Sequence, residues 1–169
     1  VRDSLPIMTL ILAGVIIGSI FDSLVSIMKY LASSAALREI VFWLMGGFYY
    51  ASWKDVTLLT PIVALCFLIT WSLGWKLNIL SLGDDDARAL GVNPEKYKLI
   101  LIALATLITS IAVSTVGIIA WIGLMMPHAA RMILGPDHRF VIPAAAMMGG
   151  VYLLVSDTMA RTLTSSEIP

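Results

Sequence analysis

Two histidines, His128 and His138, share a stretch with Arg131 and Asp137, and Asp157 and Arg161 follow further along. Histidine with carboxylate is the material of a metal site or a proton relay. An intramembrane enzyme would need His128, His138 and Asp157 to converge on one point. Two histidines are a thin ligand supply against the usual metal sites, so no metal ligand and no catalytic residue is assigned. Cys66 is the single cysteine and sits in an apolar run; it can form no internal disulfide or cysteine-based metal site and reads as a small buried hydrophobe. His128 and Arg131 are three apart and share a helical face. Pro127 ends or kinks that helix, and the two polar side chains are suited to satisfy freed carbonyls or to pair with Asp137. Asp157 and Arg161 stand at i and i+4 with the acid first, the favourable order for an ion pair.

The most polar segment, residues 81–98, reads Ser-Leu-Gly-Asp-Asp-Asp-Ala-Arg-Ala-Leu-Gly-Val-Asn-Pro-Glu-Lys-Tyr-Lys. Asp84, Asp85 and Asp86 suit a helix N-terminus. Ala87 to Leu90 are good helix formers, and Gly91 is a natural stop. Asn93-Pro94 opens the next element with Glu95 in its first turn. The spacing predicts a short helix, a sharp turn and then a long helix.

The elements that must position these groups are set by hydrophobicity. Apolar residues make up 59% of the chain and charged residues 13%, with a mean hydropathy of +0.93. A soluble domain carries about 45–50% apolar and about 25% charged residues. A small globule cannot hide that excess, so lipid is the expected solvent. Net charge is zero, which excludes the basic stripe of a nucleic-acid partner.

A membrane crossing needs about 20 mostly apolar residues. The first candidate runs from Leu5 to about Leu31, with Asp22 as its one acid and Gly14-x-x-x-Gly18 as a small-xxx-small packing pattern. A less apolar stretch, 32–55, holds Arg38, Glu39, Trp43, Tyr49, Tyr50 and Trp53, the residue types of a membrane boundary. Residues 36–45 suit a short interfacial helix ended by Gly46-Gly47. The second span is Val56 to about Leu80, with Pro61 in its first turns and Trp71, Trp75 and Lys76 at its far end. Leu99 to Met126 carries no charge, and as one helix would be about 42 Å long, too long for a simple crossing. Gly117 is the expected break, giving Glu95–Val116 and a shorter helix from Gly117 to about Leu134. The last span is about Val141 to Ala160. The expectation is an all-α, polytopic transmembrane bundle of about five spans, in one region covering 1–169. Loops 1–4, 81–98 and 131–140, with the end of the second span, hold Arg2, Lys76, Arg88, Lys96, Lys98, Arg131 and Arg139. The opposite side holds Lys29, Arg38, Lys54 and Arg161, so the positive-inside rule puts 81–98 in the cytoplasm.

Gly117-Ile-Ile-Ala-Trp-Ile-Gly123-Leu-Met-Met-Pro127-His128-Ala-Ala-Arg131, then Gly135-Pro-Asp137-His138-Arg139 and Asp157-Thr-Met-Ala-Arg161, follow one another in order. This run resembles the permease family of iron-siderophore, haem and vitamin B12 importers, with Trp121 where that family usually has Phe. Trp43-Leu-Met-Gly46-Gly47, Leu80-Ser-Leu-Gly83-x-x-x-Ala87-x-x-Leu90-Gly91 and Glu167-Ile168-Pro169 are similar to further blocks of the family. The resemblance covers Trp43 to Pro169, and the first span matches by position. Three successive acids at 84–86 exceed the family's usual number. Val1 in place of an initiator Met, and a chain that stops at a polar connector, add the expectation of a fragment. It would be the C-terminal half of a permease of about ten helices, lacking the first helices and the last.

The resemblance implies an inner-membrane permease subunit of an ATP-driven importer of iron-siderophore, haem or cobalamin-type ligands. Its implied partners are a cytosolic ATPase, an extracytoplasmic substrate-binding protein and a second permease copy. It would not itself be an enzyme and would bind no cofactor directly, ATP and Mg residing on the ATPase. Residues 81–98 would be the coupling segment gripped by that ATPase. Gly83, Ala87, Leu90 and Gly91 would give it shape, the small residues allowing close approach and Leu90 filling an apolar pocket; Asp84, Asp85, Asp86 and Arg88 would form the polar rim. The first span would line the translocation path with Gly14, Gly18, Ser19, Ser23 and Ser26. Gly117, Gly123, Pro127, His128, Arg131, Asp137, Asp157 and Arg161 would do structural or gating work. A secondary transporter or channel, in which Asp22 is the internal ionisable group, an intramembrane enzyme, and a non-functional permease remnant stay open as alternatives.

Overall fold

The computed structural model describes residues 7–49 and 51–163; Arg2, Tyr50 and Glu167-Ile168-Pro169 lie outside the described residues. Eight helices follow one another: α1 (Ile7–Leu31), α2 (Ser34–Met45), α3 (Trp53–Ser72), α4 (Gly74–Leu80), α5 (Asp84–Ala89), α6 (Pro94–Val116), α7 (Ile122–Leu134) and α8 (His138–Leu163). Four of them, α1, α3, α6 and α8, are long and apolar enough to cross a membrane. The chain forms two compact units, one up to Leu44 and the other from Met45 onward.

The first unit is α1 with most of α2. Apolar side chains cover α1 on all sides and stand exposed, as lipid or further protein requires. α2 starts after Ser33, whose Oγ accepts from the Ala36 N–H at 3.4 Å, and it stops where Gly46 and Gly47 were expected to end it.

The second unit is a bundle with two distinct ends. α3 opens three residues earlier than the hydropathy suggests because Ser52 and Asp55 form a capping box. The Ser52 Oγ accepts from the Asp55 N–H, and the Asp55 carboxylate accepts from the Ser52 N–H at 3.0 Å. The expected second span is also not one helix. It breaks at Leu73 (φ −84°, ψ 1°), where α4 begins. α6 starts as the Asn93-Pro94 pair predicts, with Asn93 Oδ1 accepting from the Lys96 N–H at 3.2 Å, and ends at Gly117.

The expected fifth crossing is not one helix. α7 has 13 residues, about 20 Å, well short of a hydrocarbon core of about 30 Å. The helix does not resume at Gly117 but at Ile122, after a non-helical piece, 117–121. The end of α6 leaves carbonyls without helical partners, and one of them is met from elsewhere in the sequence: the Gly47 N–H donates to Val116 O at 2.7 Å. Residues 117–121 and α7 together return the chain from the end of α6 to the start of α8. Pro127 does not end α7, which runs on to Leu134.

α8 has 26 residues, about 39 Å, and connects the two ends. Pro143 lies in its second turn and has no N–H to give to Arg139 O. The Trp71 indole N–H of α3 donates to that carbonyl instead, at 3.0 Å. An expected kink-prone residue thereby becomes the point where α3 is fastened to α8.

Gly46 shows how tightly the far end is closed. Its φ is +69°, and an added Cβ would lie 2.4 Å from Ile118 O. Both the left-handed backbone and the contact exclude a side chain. Gly46→Ala is expected to destabilise the full-length protein by at least about 2 kcal/mol. Thermal unfolding in detergent checks this, and an unchanged midpoint would mean that the turn does not sit against Ile118.

Candidate functional site

The polar segment forms a defined knob. α5 is bracketed by Gly83 (φ +120°) and Gly91 (φ +77°). The Val92 N–H donates to Ala87 O at 2.9 Å and the Gly91 N–H to Arg88 O at 3.0 Å, the two bonds of a Schellman motif. Such a motif brings the side chain after the glycine against the one three residues before the cap. Here these are Val92 and Ala87, and both are buried. The expectation that Ala87 offers a partner close approach is therefore corrected: at 0% exposure it has no surface to offer, and its smallness serves the knob's own core. Gly83 and Gly91 have open space where a Cβ would stand, so their backbone conformation, and not close approach, explains them.

What the knob presents outward is Leu82 and Leu90, 62% and 59% exposed, among Asp85, Asp86 and Arg88. Asp84 is set apart from the other two acids. Both its carboxylate oxygens accept from Lys98 Nζ, at 2.6 and 2.7 Å, which ties α5 to the first turns of α6. Arg88 reaches Asp85 at 3.5 Å and Glu95 at 3.4 Å. Pairs this exposed add little stability, but together they fix the knob's orientation.

α4 and the start of α8 meet beside the knob. Asn78 Nδ2 donates to Asp137 Oδ1 at 2.7 Å, and Asn78 Oδ1 accepts from the His138 N–H at 2.8 Å. His138 Nδ1 lies 2.8 Å from the same oxygen and donates to it in the Nδ1–H tautomer. Arg139 pairs with Asp137 at 3.1 Å and lies over the Trp75 ring, while Gly74 packs against the Arg139 backbone. Asp137 is thus occupied by Asn78 and Arg139, and the expected pairing with His128 or Arg131 does not form; both of those side chains are exposed on α7. The hydrogen bonds from the Arg139 side chain, from Asn78 and from the Arg139 N–H hold the Asp137 carboxyl down at about 2. Asn78 was missed in the sequence. The available signal was an amide inside the last turns of an apolar run, where an unpartnered polar group is costly.

The opposite end holds a cavity of about 380 Å³. Its walls come from the turn 45–49, from 118–120 and from Leu153, Ser156, Asp157, Ala160 and Arg161 of α8. Arg161 Nε donates to Asp157 Oδ2 at 2.9 Å, the pair that the i, i+4 spacing predicts. Asp157 and His138 are 19 residues apart on one helix, about 28 Å, so they do not form one catalytic centre. Gly117 caps α6, and Gly123 stands in the first turn of α7 with open space around it.

The α1 residues remain within the first unit. Gly14 and Gly18 have no neighbour near a would-be Cβ. Ser19, Ser23 and Ser26 donate to the carbonyls of Val15, Ser19 and Asp22 at 2.8–2.9 Å. These three hydroxyls are spent on their own helix.

A lowered carboxyl pKa contributes stability in full above its ordinary value and loses it as pH falls through the folded one. The contribution of Asp137 is accordingly lost between about 3.8 and about 2. Acid titration of the full-length protein in detergent, read by tryptophan fluorescence, is expected to show a limb in that window that Asp137→Asn removes. An identical limb in the variant would exclude Asp137 as its source.

The FecCD transport family matches residues 1–169. The molybdate import permease of Haemophilus influenzae is 37% identical over 164 residues, covering 96% of this chain and 49% of that protein. The cobalamin import permease of Halobacterium salinarum is 36% identical over 164 residues, covering 97% and 44%. A solved structure described as an inward-facing conformation of an ABC transporter assigned to the metal-chelate type superposes with a TM-score of 0.93 at 37% identity, over 97% of this chain and 54% of that one. The chain thus spans about half the length of the relatives it matches. On a match that runs from the first residue to the last, over a bundle of membrane-crossing helices, the chain belongs to the FecCD transport family of multi-pass membrane proteins.

Proposed function

We propose that this chain forms half of a permease subunit of an ATP-driven, binding-protein-dependent importer in the inner membrane. Its cargo is a metal chelate of the iron-siderophore, haem or cobalamin type. The relatives named for molybdate and cobalamin import, and the metal-chelate-type structure, support a metal-containing ligand. A second permease copy and an extracytoplasmic binding protein complete the assembly.

The carrying observation is the α5 knob. A rigid short helix, stapled to α6 by Asp84–Lys98, exposes Leu82 and Leu90 among charges at the end of the bundle richest in Lys and Arg. A cytosolic ATPase that receives the two leucines in an apolar cleft gains about 1.5–3 kcal/mol for each one fully buried. Asp85, Asp86 and Arg88 form the rim of that contact. The face of α1, with Gly14, Gly18, Ser19, Ser23 and Ser26, suits a path that must pass a bulky ligand without holding it. The secondary-transporter reading rests on Asp22, which stands on the same face of α1 as Ser19, Ser23 and Ser26; the likeness to permeases of import systems and to an ABC transporter favours the importer.

The test is co-purification of the full-length permease with its ATPase. Leu90→Asp is expected to reduce the retained ATPase at least tenfold with no loss of permease thermal stability. Ala87→Asp is expected to lower both, because it forces a charge into the knob's core. Full retention of ATPase by Leu90→Asp would remove the coupling role from α5.

A further inference from the structure

We infer that Asn78 is the joint that carries displacement of α5 into α8, a positioning residue for transport that touches neither cargo nor nucleotide. The inference rests on the reading of α5 as the ATPase handle and adds the route by which a pull on it reaches the far end of the bundle.

Three observations converge on Asn78. First, the chain bends at Leu73, whose ψ of 1° lies far from the helical value of about −42°, while the Leu73 N–H to Ile69 O and Leu77 N–H to Leu73 O bonds, at 3.1 and 3.0 Å, carry the hydrogen bonding from α3 into α4. α4 is joined in turn to the handle. The Gly83 N–H donates to Leu80 O at 3.3 Å and the Ala87 N–H to Gly83 O at 3.0 Å, so α4, the turn and α5 form one continuous hydrogen-bonded piece.

Second, the side-chain hydrogen bonds from that piece to the beginning of α8 all come from Asn78, beside the one that Trp71 of α3 gives to Arg139 O. The first N–H groups of a helix have no partner within it. Asn78 Oδ1, projecting from α4, accepts the His138 N–H at 2.8 Å, and Asn78 Nδ2 binds Asp137 at 2.7 Å. Asp137 in turn accepts the Arg139 N–H at 3.0 Å in the manner of a cap. One helix therefore supplies part of the N-terminal cap of another, and the capped helix cannot shift along its axis without breaking bonds to α4. Gly74 against Arg139 and the Arg139–Trp75 contact prevent α4 from rolling away.

Third, the helix so held is the one that reaches the other end. α8 is continuous from His138 to Leu163, and its last turns supply Leu153, Ser156, Asp157, Ala160 and Arg161 to the cavity wall. A displacement at Asn78 is thus delivered at the cavity as movement of one wall against the turn 45–49.

The experiment uses the full-length permease bound to its ATPase in lipid nanodiscs, with a nitroxide on Ser156→Cys in an otherwise cysteine-free background that includes Cys66→Ala. The probe is ATP with vanadate, so no cargo need be known. The parent is expected to change its label mobility on trapping. Asn78→Ala is expected to keep ATPase co-purification and ATP hydrolysis within twofold of the parent while losing at least fivefold of that change. Asn78→Asp, which sets two carboxylates side by side, is expected to lose as much. Adding Asp137→Asn to Asn78→Asp recreates an amide–carboxylate pair and is expected to restore at least half of the signal. An unchanged signal in Asn78→Ala, no rescue by the exchanged pair, or loss of the ATPase from Asn78→Ala would each overturn the joint. Failure of the parent to hold any ATPase is visible before a single Asn78 variant is made, and it overturns the importer reading along with the joint.

Discussion

Hydrocarbon supplies no hydrogen bonds, so every peptide group at membrane depth must find its partner within the protein. A bundle of unbroken helices would meet that demand without further help. This one bends at Leu73, unwinds across 117–121 and loses one helical bond at Pro143, and the last two of these are met from a different part of the chain. The Trp71 indole takes the carbonyl that Pro143 leaves free, and the Gly47 N–H takes Val116 O. Because the replacement donors come from elsewhere in the sequence, each of these two is also a cross-link. The same rule explains the serines of α1, which turn their hydroxyls onto their own helix.

The resulting unit has two working ends joined by α8. At one end, Asp137, Asn78 and Arg139 anchor the helix beside a charged knob. At the other, Asp157 and Arg161 stand in the wall of a cavity. Neither end is held by deep burial of large side chains, and the apolar surface of the spans faces outward. Cohesion comes from caps, staples and close backbone approaches such as Gly46 on Ile118.

What could be read from the sequence follows from what is local. The end of α2 at Gly46, the break at Gly117, the start of α6 at Asn93-Pro94, the short helix over Asp84–Ala89 and the Asp157–Arg161 pair all depend on residues within a turn of one another. The capping box at Ser52 was equally local and went unread. The break at Leu73 also had a local signal that went unread: Ser72 and Gly74 flank it, and glycine is a poor helix former. The length of the unwound piece after Gly117 had none, since Ile118, Ile119 and Ala120 can all continue a helix. Asn78 stood out only as an amide in an apolar run, and its partners, some sixty positions away, could not be named from that. Ala87 was read as a contact surface because small residues in a polar segment suggest close approach; only the fold reveals that Val92 already fills that approach.

The shortness of α7 bears on how the chain is made. At 13 residues, and with His128 and Arg131 on its surface, it is a poor substrate for lateral release into lipid by the insertion machinery. It is joined to α8 by Gly135, Pro136 and Asp137 alone and packs against α8 along its length. The two helices are therefore expected to leave the translocon together, as a hairpin, with α7 retained there until α8 has been synthesised.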